Sequence, residues 1–357
     1  MIIPFMNKRG FKDKDFIRTP EDLFFCVVGY MHPKDRVISY LRYLPNPAGK
    51  WGYGSARYAR AMPSYTIAYL LKNIEVLRRD FSDYIFYSDV FNTQMSAVPH
   101  NKIKEHYRPE QRLDGILKLE KPDKLQEKVI ELANLISNKS GIPIGYIGVT
   151  GSILINIHKP EFSDIDLVVY GRENSLKVKD TLLSLYDEKE SHVQKLYGDA
   201  LYKWCEEKAK DYPLTFDEAK KIYNRKWNYG SFKDTNFSIH PVRLDSEISE
   251  LYDDKVFSPM GMVKIRAIVS DTSESIFLPH TYSLQRVIVE EGKKVQDIRK
   301  VTTYEGLYGG IFEIDDEIIS KGRLEKVLDK RTREVYHQVL VGSLEGKGMD
   351  YMTPYDH

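Results

Sequence analysis

The stretch that most constrains this chain is GVTGSILINIHKPEFSDIDLVVYG, residues 148–171. It holds a Gly-Ser pair, Gly151-Ser152, followed after eleven residues by two aspartates around one isoleucine, Asp164 and Asp166. The run DIDLVVYG is apolar and β-branched and reads as a buried strand. Successive strand side chains point to opposite faces, so Asp164 and Asp166 share one face while Ile165, Leu167 and Val169 share the other. Two residues of strand rise set the aspartate Cα atoms roughly 6.5–7 Å apart. Both carboxylates can then reach one Mg²⁺, or a pair of ions about 3.5–4 Å apart. The Gly-Ser turn supplies the complementary half. YIGVT predicts a short strand before it and SILINIHK a short helix after it. Gly151 has no Cβ to hold a phosphate off the backbone. A helix starting at Ser152 points free N–H groups at that phosphate, and the Ser152 hydroxyl adds a donor. A Gly-Ser turn alone is commonplace, and an aspartate pair can simply end a strand in water. At this spacing they compose a metal–triphosphate site.

This arrangement resembles the nucleotidyltransferase superfamily typified by DNA polymerase β. Its signature is an apolar residue, Gly, Gly or Ser, a spacer, and then Asp-x-Asp or Asp-x-Glu. Here Thr150 stands in the slot before Gly151. The resemblance implies an α/β (α+β) architecture with a polymerase β-like nucleotidyltransferase domain. It implies Asp164 and Asp166 as ligands of Mg²⁺ or Mn²⁺, and Gly151 and Ser152 as the cradle for the phosphates of a nucleoside triphosphate. The activity implied is transfer of a nucleoside monophosphate to an acceptor hydroxyl, with release of pyrophosphate. The whole chain is also similar to multidomain archaeal proteins carrying such a domain, a likeness that brings no substrate with it.

Active members of the superfamily need a third carboxylate on a neighbouring strand. The candidate strand is TNFSIHPVR, where Phe237 and Ile239 face the core and Ser238 and His240 face the site. Ser238 takes the acidic slot, and His240 is the candidate replacement for the base, since neutral imidazole accepts a proton near pH 7. A satisfied strand-edge histidine is the plainer alternative. Asp234 and Asp245 flank the strand. For the triphosphate, Arg225 and Lys226 at a helix end beside Trp227 are candidate nucleotide-binding cations, as is Lys159. The segment KWGYGSARYAR interleaves Lys50, Arg57 and Arg60 with Trp51, Tyr53 and Tyr58. Such a mixture can bind phosphates and stack on bases, or pack its aromatics between domains.

At 357 residues the chain exceeds one typical core. The pattern divides it into a basic N-terminal α+β domain (1–112), the nucleotidyltransferase-like domain (113–255) and a small C-terminal all-β domain, barrel or sandwich (256–357). Net charge is +1, yet residues 1–112 carry 18 basic against 11 acidic residues, an asymmetry that can mark an anionic partner such as RNA. In the first domain DLFFCVVGY and RVISYLRYL predict a hairpin. A helix follows with Ile67, Leu70, Leu71, Ile74 and Leu77 on one stripe, and 88–112 reads as an irregular connector. In the second, a helix capped by Asp123 and closed by Gly141 is expected, then helices over 174–187, 191–211 and 215–228. In the third, strands are expected at MVKIRAIVS, GGIFEI, GRLEKVLD and EVYHQVLVGS, a hairpin at RVIVEEGKKV, and a loose tail from 345.

Two distant cysteines, Cys26 and Cys205, match no zinc spacing, and neither a long apolar segment nor a secretory start is evident. A cytoplasmic protein that does not span a membrane is expected. No Walker loop, dinucleotide fingerprint, His-Glu-x-x-His run or nucleophile elbow occurs. The rivals to a transferase are a catalytically degenerate nucleotide- or RNA-binding module, motivated by the missing third acid, and an assembly scaffold using the β domain.

Overall fold

The computed structural model describes residues 9–64 and 66–355, which form three sheets and, among the described residues, seven α-helices. Residues 1–8, where no leader is expected, lie outside the described residues. No helix among the described residues is long and apolar enough to cross a membrane.

The N-terminal sheet contains β1 (Phe16–Arg18), β2 (Phe24–Val27), β3 (Arg36–Pro45), β4 (Trp51–Tyr53) and β5 (Ala56–Arg60). Helix α1 (Ile67–Asp80) precedes β6 (Ile85–Ser88), β7 (Thr93–Pro99) and β8 (Glu105–Tyr107). The strands run β4-β5-β3-β2-β1-β8, with β7 joining β3 and β6 joining β7. The expected hairpin is β2–β3, pairing Cys26 with Tyr40. Thr66 caps α1, which buries Ile67, Ile74 and Leu77 at helical spacing. The segment 88–112 is not an irregular connector: it holds β7, β8 and the start of α2 (Pro109–Leu117). Val98 and Ala97 are buried by pairing with Val37 and Ile38 of β3, a partner too distant in sequence to be visible locally.

The central part continues with α3 (Lys124–Ser140), β9 (Ile147–Val149), α4 (Gly151–Leu154), β10 (Ile165–Tyr170) and α5 (Arg172–Asp187). It then adds β11 (Val193–Gln194), α6 (Gly198–Asp211), α7 (Phe216–Arg225), β12 (Tyr229–Phe232) and β13 (Thr235–Val242). The sheet order is β11-β12-β13-β10-β9, with β10 parallel to β13. Asp123 and Gln126 form a capping box on α3, and Gly141 ends it at φ +69°. Leu125, Val129, Leu132 and Ile136 pack on Ile165, Leu167, Val169, Phe237 and Ile239 in one core. The helix after the Gly-Ser turn is shorter than expected, ending at Leu154, and Asn156 just beyond it has φ +55°. The helix expected from 191 starts at Gly198, because Val193 and Gln194 pair with β12 instead.

The C-terminal strands are β14 (Lys255–Asp271), β15 (His280–Gly292), β16 (Ile298–Thr303), β17 (Glu317–Asp329), β18 (Val335–Val341) and β19 (Tyr351–Pro354). The order β14-β15-β16-β18-β17 closes by β17 pairing back to β14, so the expected small β domain is a barrel. Ile265, Ala267 and Val269 alternate into its core with Val301, Leu324 and Val339. RVIVEEGKKV is no hairpin, since β15 runs through to Gly292 along β14. GGIFEI is no strand: Ile311 and Phe312 plug the core from a loop, and the Ile311 N–H donates to the Tyr282 hydroxyl at 3.0 Å. The tail is not loose, because β19 pairs with β17 and buries Met352.

The second face of β10 and β13 bears Asp166, Val168, Tyr170, Ser238 and His240, and the N-terminal sheet covers it. Arg9 locks the two together. Its guanidinium donates to Glu110 at 2.7 and 2.9 Å and to Asp15 at 2.6 and 2.8 Å, all three side chains being buried. Tyr170 donates to Glu110 at 2.7 Å, and Lys12 donates to the Arg243 carbonyl at 3.0 Å. Burial alone would raise the Asp15 pKa, but the Arg9 charge and the His106 hydrogen bond outweigh it and hold it low. That contribution to stability is present at neutral pH and lost as pH falls below the usual carboxylate range. Arg9→Met leaves two buried carboxylates without their cation and should cost about 3–5 kcal/mol in urea denaturation. An unchanged midpoint would contradict this role.

Candidate active site

The Gly-Ser turn and the Asp-x-Asp strand meet as one unit. The Thr150 N–H donates to the Asp166 carbonyl at 2.8 Å, and the Thr150 hydroxyl donates to the Lys14 carbonyl at 2.6 Å. Gly151 adopts φ +67°, and a Cβ there would lie 2.6 Å from Asp166 Oδ2. Glycine is thus required twice, by backbone conformation and by the carboxylate pressed against it. Asp166 lies opposite Ser238 in the parallel register, as the sequence alignment of the strand anticipates. Ser238 donates to Asp166 Oδ1 at 2.5 Å and lies 2.8 Å from His240 Nε2, which is itself 3.8 Å from Asp166. With the serine proton on Asp166, the Ser238–His240 bond needs His240 Nε2–H as donor.

Asp164 and Asp166 open on a cavity of about 770 Å³ walled by all three sheets. Arg42 and Arg60 enter from the N-terminal sheet, and His280 and Glu305 from the barrel side. The Asp164 pKa is pushed up to about 6 by burial and by the Asp166 charge, with Glu207 of α6 adding to it and Arg60 opposing. Burial alone would also raise Asp166. The hydrogen bond of His240, the Ser238 hydroxyl and Arg60 outweigh it and bring Asp166 down to about 2. Burial lowers the His240 pKa, so the ring is neutral at pH 7.

The structure thus gathers Gly151, Asp164, Asp166, His240 and Lys226 around one cavity and places two other candidates differently. Ser152 turns its hydroxyl to Ser163 Oγ at 3.4 Å. Arg225 points to the barrel, donating to the Ile311 carbonyl at 3.3 Å and pairing with Asp316. Lys226 is buried in the cavity wall with its amine on the Gly306 and Leu307 carbonyls at 2.9 and 3.2 Å. Burial, with Lys208 and Lys195 nearby, lowers its pKa to about 7. Arg60 is the cation whose charge acts on both aspartates. Its guanidinium stacks 4.5 Å over Trp51 and its buried Nε has no hydrogen-bond partner. The basic–aromatic motif contained Arg60, but only the pairing of β5 on β3 aims it at Asp164. Glu207 and His280 carried no sequence signal, since each is a lone residue on an unrelated element.

Two adjacent carboxylates, Asp164 with a raised pKa and Asp166 with a lowered one, beside the Gly151 turn fit a divalent cation. Mg²⁺ commonly takes one or two protein carboxylates and completes its shell with water and phosphate oxygens. Among the described residues no group of three or more His, Cys, Asp or Glu side chains is placed to hold a metal alone, so the fit is to a cation that arrives with nucleotide.

A cation needs ionised Asp164, whose raised pKa means that protons compete with the cation up to about pH 6. Mg²⁺ affinity measured calorimetrically with nucleotide present should therefore weaken as pH falls through about 6. In metal-free buffer at pH 8, Asp164→Asn should melt no lower than the wild type, because it removes a repulsion. A flat pH profile together with a destabilised variant would contradict this reading.

Residues 129–228 match the family described as the nucleotidyltransferase domain, a span that contains Gly151, Asp164 and Asp166 but ends before Ser238. The chain is 31% identical over 349 residues to uncharacterized protein MJ1086 of Methanocaldococcus jannaschii, covering 95% of this chain and 97% of that protein. No solved structure matches. The chain therefore belongs to the nucleotidyltransferase superfamily, within a family that it shares with the Methanocaldococcus jannaschii protein.

Proposed function

We propose that this protein is a metal-dependent nucleotidyltransferase that moves a nucleoside monophosphate from a nucleoside triphosphate to an acceptor hydroxyl. The observation that carries this reading is the pair Asp164 and Asp166, facing one large cavity beside the Gly151 turn. Asp164 and Asp166 would hold Mg²⁺ or Mn²⁺. The ion supplies charge neutralisation at the phosphoryl oxygens and fixes the triphosphate against the aspartates. Gly151 lets the Asp166 carboxylate lie against the turn, and Arg60 offers a cation whose field already reaches both carboxylates. The acceptor oxygen bonds to the α-phosphorus as the bond to the β-phosphate oxygen breaks, and pyrophosphate leaves.

A small-molecule hydroxyl suits this site better than RNA. A cavity of about 770 Å³ falls in the range of small-ligand sites. The basic–aromatic hairpin β4–β5, the expected RNA surface, is pinned to the central domain. Its Gly52 N–H donates to the Ile157 carbonyl at 2.8 Å, its Tyr53 hydroxyl donates to the His158 carbonyl at 2.6 Å, and Lys159 sits 3.9 Å over the Tyr53 ring. One observation favours a second reading, a nucleotide-binding module without turnover: Ser238, not an acid, stands opposite Asp166.

The test follows α-labelled ATP, GTP, CTP and UTP with Mg²⁺, offering water, pooled small-molecule alcohols and RNA as acceptors. Asp164→Asn combined with Asp166→Asn should lower turnover by at least about 10²-fold with an unchanged circular dichroism spectrum. Unchanged turnover in the double variant would sink the transferase reading. Tight nucleotide binding by the wild type with no product from any acceptor would favour the inert module.

A further inference from the structure

The attacking hydroxyl must lose a proton, and the strand that bears the third acid in the superfamily turns no lone pair toward the aspartates. Ser238 directs its own proton to Asp166 Oδ1, and His240 then donates its Nε2–H to Ser238. Both therefore present hydrogen toward the dyad rather than a lone pair. The two aspartates are the metal ligands of the reading above. A proton acceptor has to come from another wall of the cavity.

We propose, resting on that reading, that His280 of the barrel receives the acceptor hydroxyl and takes its proton. His280 opens β15 and lines the same cavity as Asp164 and Asp166. Its Nδ1 lies 2.8 Å from the Ser275 carbonyl, which can only accept, so Nδ1 carries the ring proton and Nε2 keeps its lone pair. The Ser275 carbonyl is itself fixed, accepting the Gly310 N–H at 3.0 Å as well. Among the described residues Nε2 has no hydrogen-bond partner, yet it is absent from the buried orphan atoms, so it is open to a ligand. The ring cannot drift: Gly309 abuts it so closely that a Cβ there would stand 2.4–2.7 Å from Cε1, Nδ1 and Nε2. An imidazole of fixed tautomer, wedged by a glycine and presenting a bare lone pair, is a group built to accept a hydrogen bond.

The groups acting on His280 are Lys226 from the end of α7, Lys14 from the N-terminal sheet and His240 from β13. Burial first, then the charges of Lys226 and Lys14, lowers its pKa to about 3. A triphosphate beside the dyad sets negative charge against the same cations and raises the proton affinity of the imidazole. In the step, the acceptor O–H bond breaks as the oxygen bonds to phosphorus. The proton passes to Nε2, the bridging bond to the β-phosphate breaks, and pyrophosphate carries off that electron pair. The imidazolium afterwards returns its proton to water. The barrel is then part of the active site and not an appendage.

The experiment measures pyrophosphate release from the four Mg²⁺-nucleoside triphosphates with water, pooled small-molecule alcohols and RNA as acceptors, for the wild-type full chain, His280→Ala, His280→Gln and Asp166→Asn. The expected result is a loss of at least about 10²-fold in both His280 variants. Nucleotide affinity should stay within about threefold, since the lost interaction is made in the transition state. Added imidazole should restore turnover to His280→Ala, which a merely structural role would not allow. Wild-type rates in both His280 variants with a silent Asp166→Asn would overturn this assignment alone. Failure of rescue together with lost nucleotide binding in both variants would reduce His280 to a structural prop and also overturn it. Wild-type rates in Asp166→Asn, or no release by the wild type, would contradict the transferase reading beneath it.

Discussion

Everything at the site depends on Arg9, a buried cation held between Asp15, just ahead of β1, and Glu110 of α2. Three charges removed from water are tolerable only because each finds its partner at hydrogen-bond distance. That clamp fixes the N-terminal sheet over the second face of β10 and β13, and with it the Lys14 carbonyl on Thr150. Without the cover, Asp166, Ser238 and His240 would stand on an open sheet face. With it they line an enclosed space where electrostatic interactions are strong.

Within that space the local forces oppose one another. Asp166 is stabilised as an anion by the Ser238 hydroxyl, His240 and Arg60, whereas Asp164 is held back by its neighbour and by Glu207. Repulsion of this kind lowers the stability of the metal-free fold and favours a cation. Functional sites commonly concentrate such strain. On the opposite wall, burial with Lys208 and Lys195 brings Lys226 down to about 7, and burial with Lys226 keeps His280 neutral. One wall gathers negative charge and the other offers neutral nitrogen. A phosphorylated substrate that brings its own cation suits both.

Much of this was legible in the sequence, for a definable reason. Gly151, Asp164 and Asp166 lie on consecutive pieces of chain, so turn geometry and strand alternation place them without knowledge of any distant contact, whereas the Ser152 hydroxyl turns to Ser163 instead. That Ser238 and His240 share the site face followed from the same alternation in β13, while the register that sets Ser238 opposite Asp166 did not. The capping box of α3 and its Gly141 terminus are also local. Illegible features depended on long-range pairing. β7 finds β3, β19 finds β17, and the second half of β15 continues along β14 instead of turning at Gly292. Arg60 and His280 reach the cavity only because the N-terminal sheet and the barrel close around the central sheet. Arg225 and Lys226 are neighbours in sequence, yet one faces the barrel exterior and the other the cavity, a division set by the end of α7 at Arg225.

The central claim is that Asp164 and Asp166 hold the cation of a bound nucleoside triphosphate at the Gly151 turn. A crystal structure of the full chain with Mg²⁺ and a non-hydrolysable triphosphate analogue tests it most directly. The account predicts one Mg²⁺ with oxygen ligands from both aspartates and from the phosphates, the triphosphate beside Gly151 and its α-phosphate open toward His280. A nucleotide bound elsewhere, or a metal ion that neither aspartate touches, would contradict it.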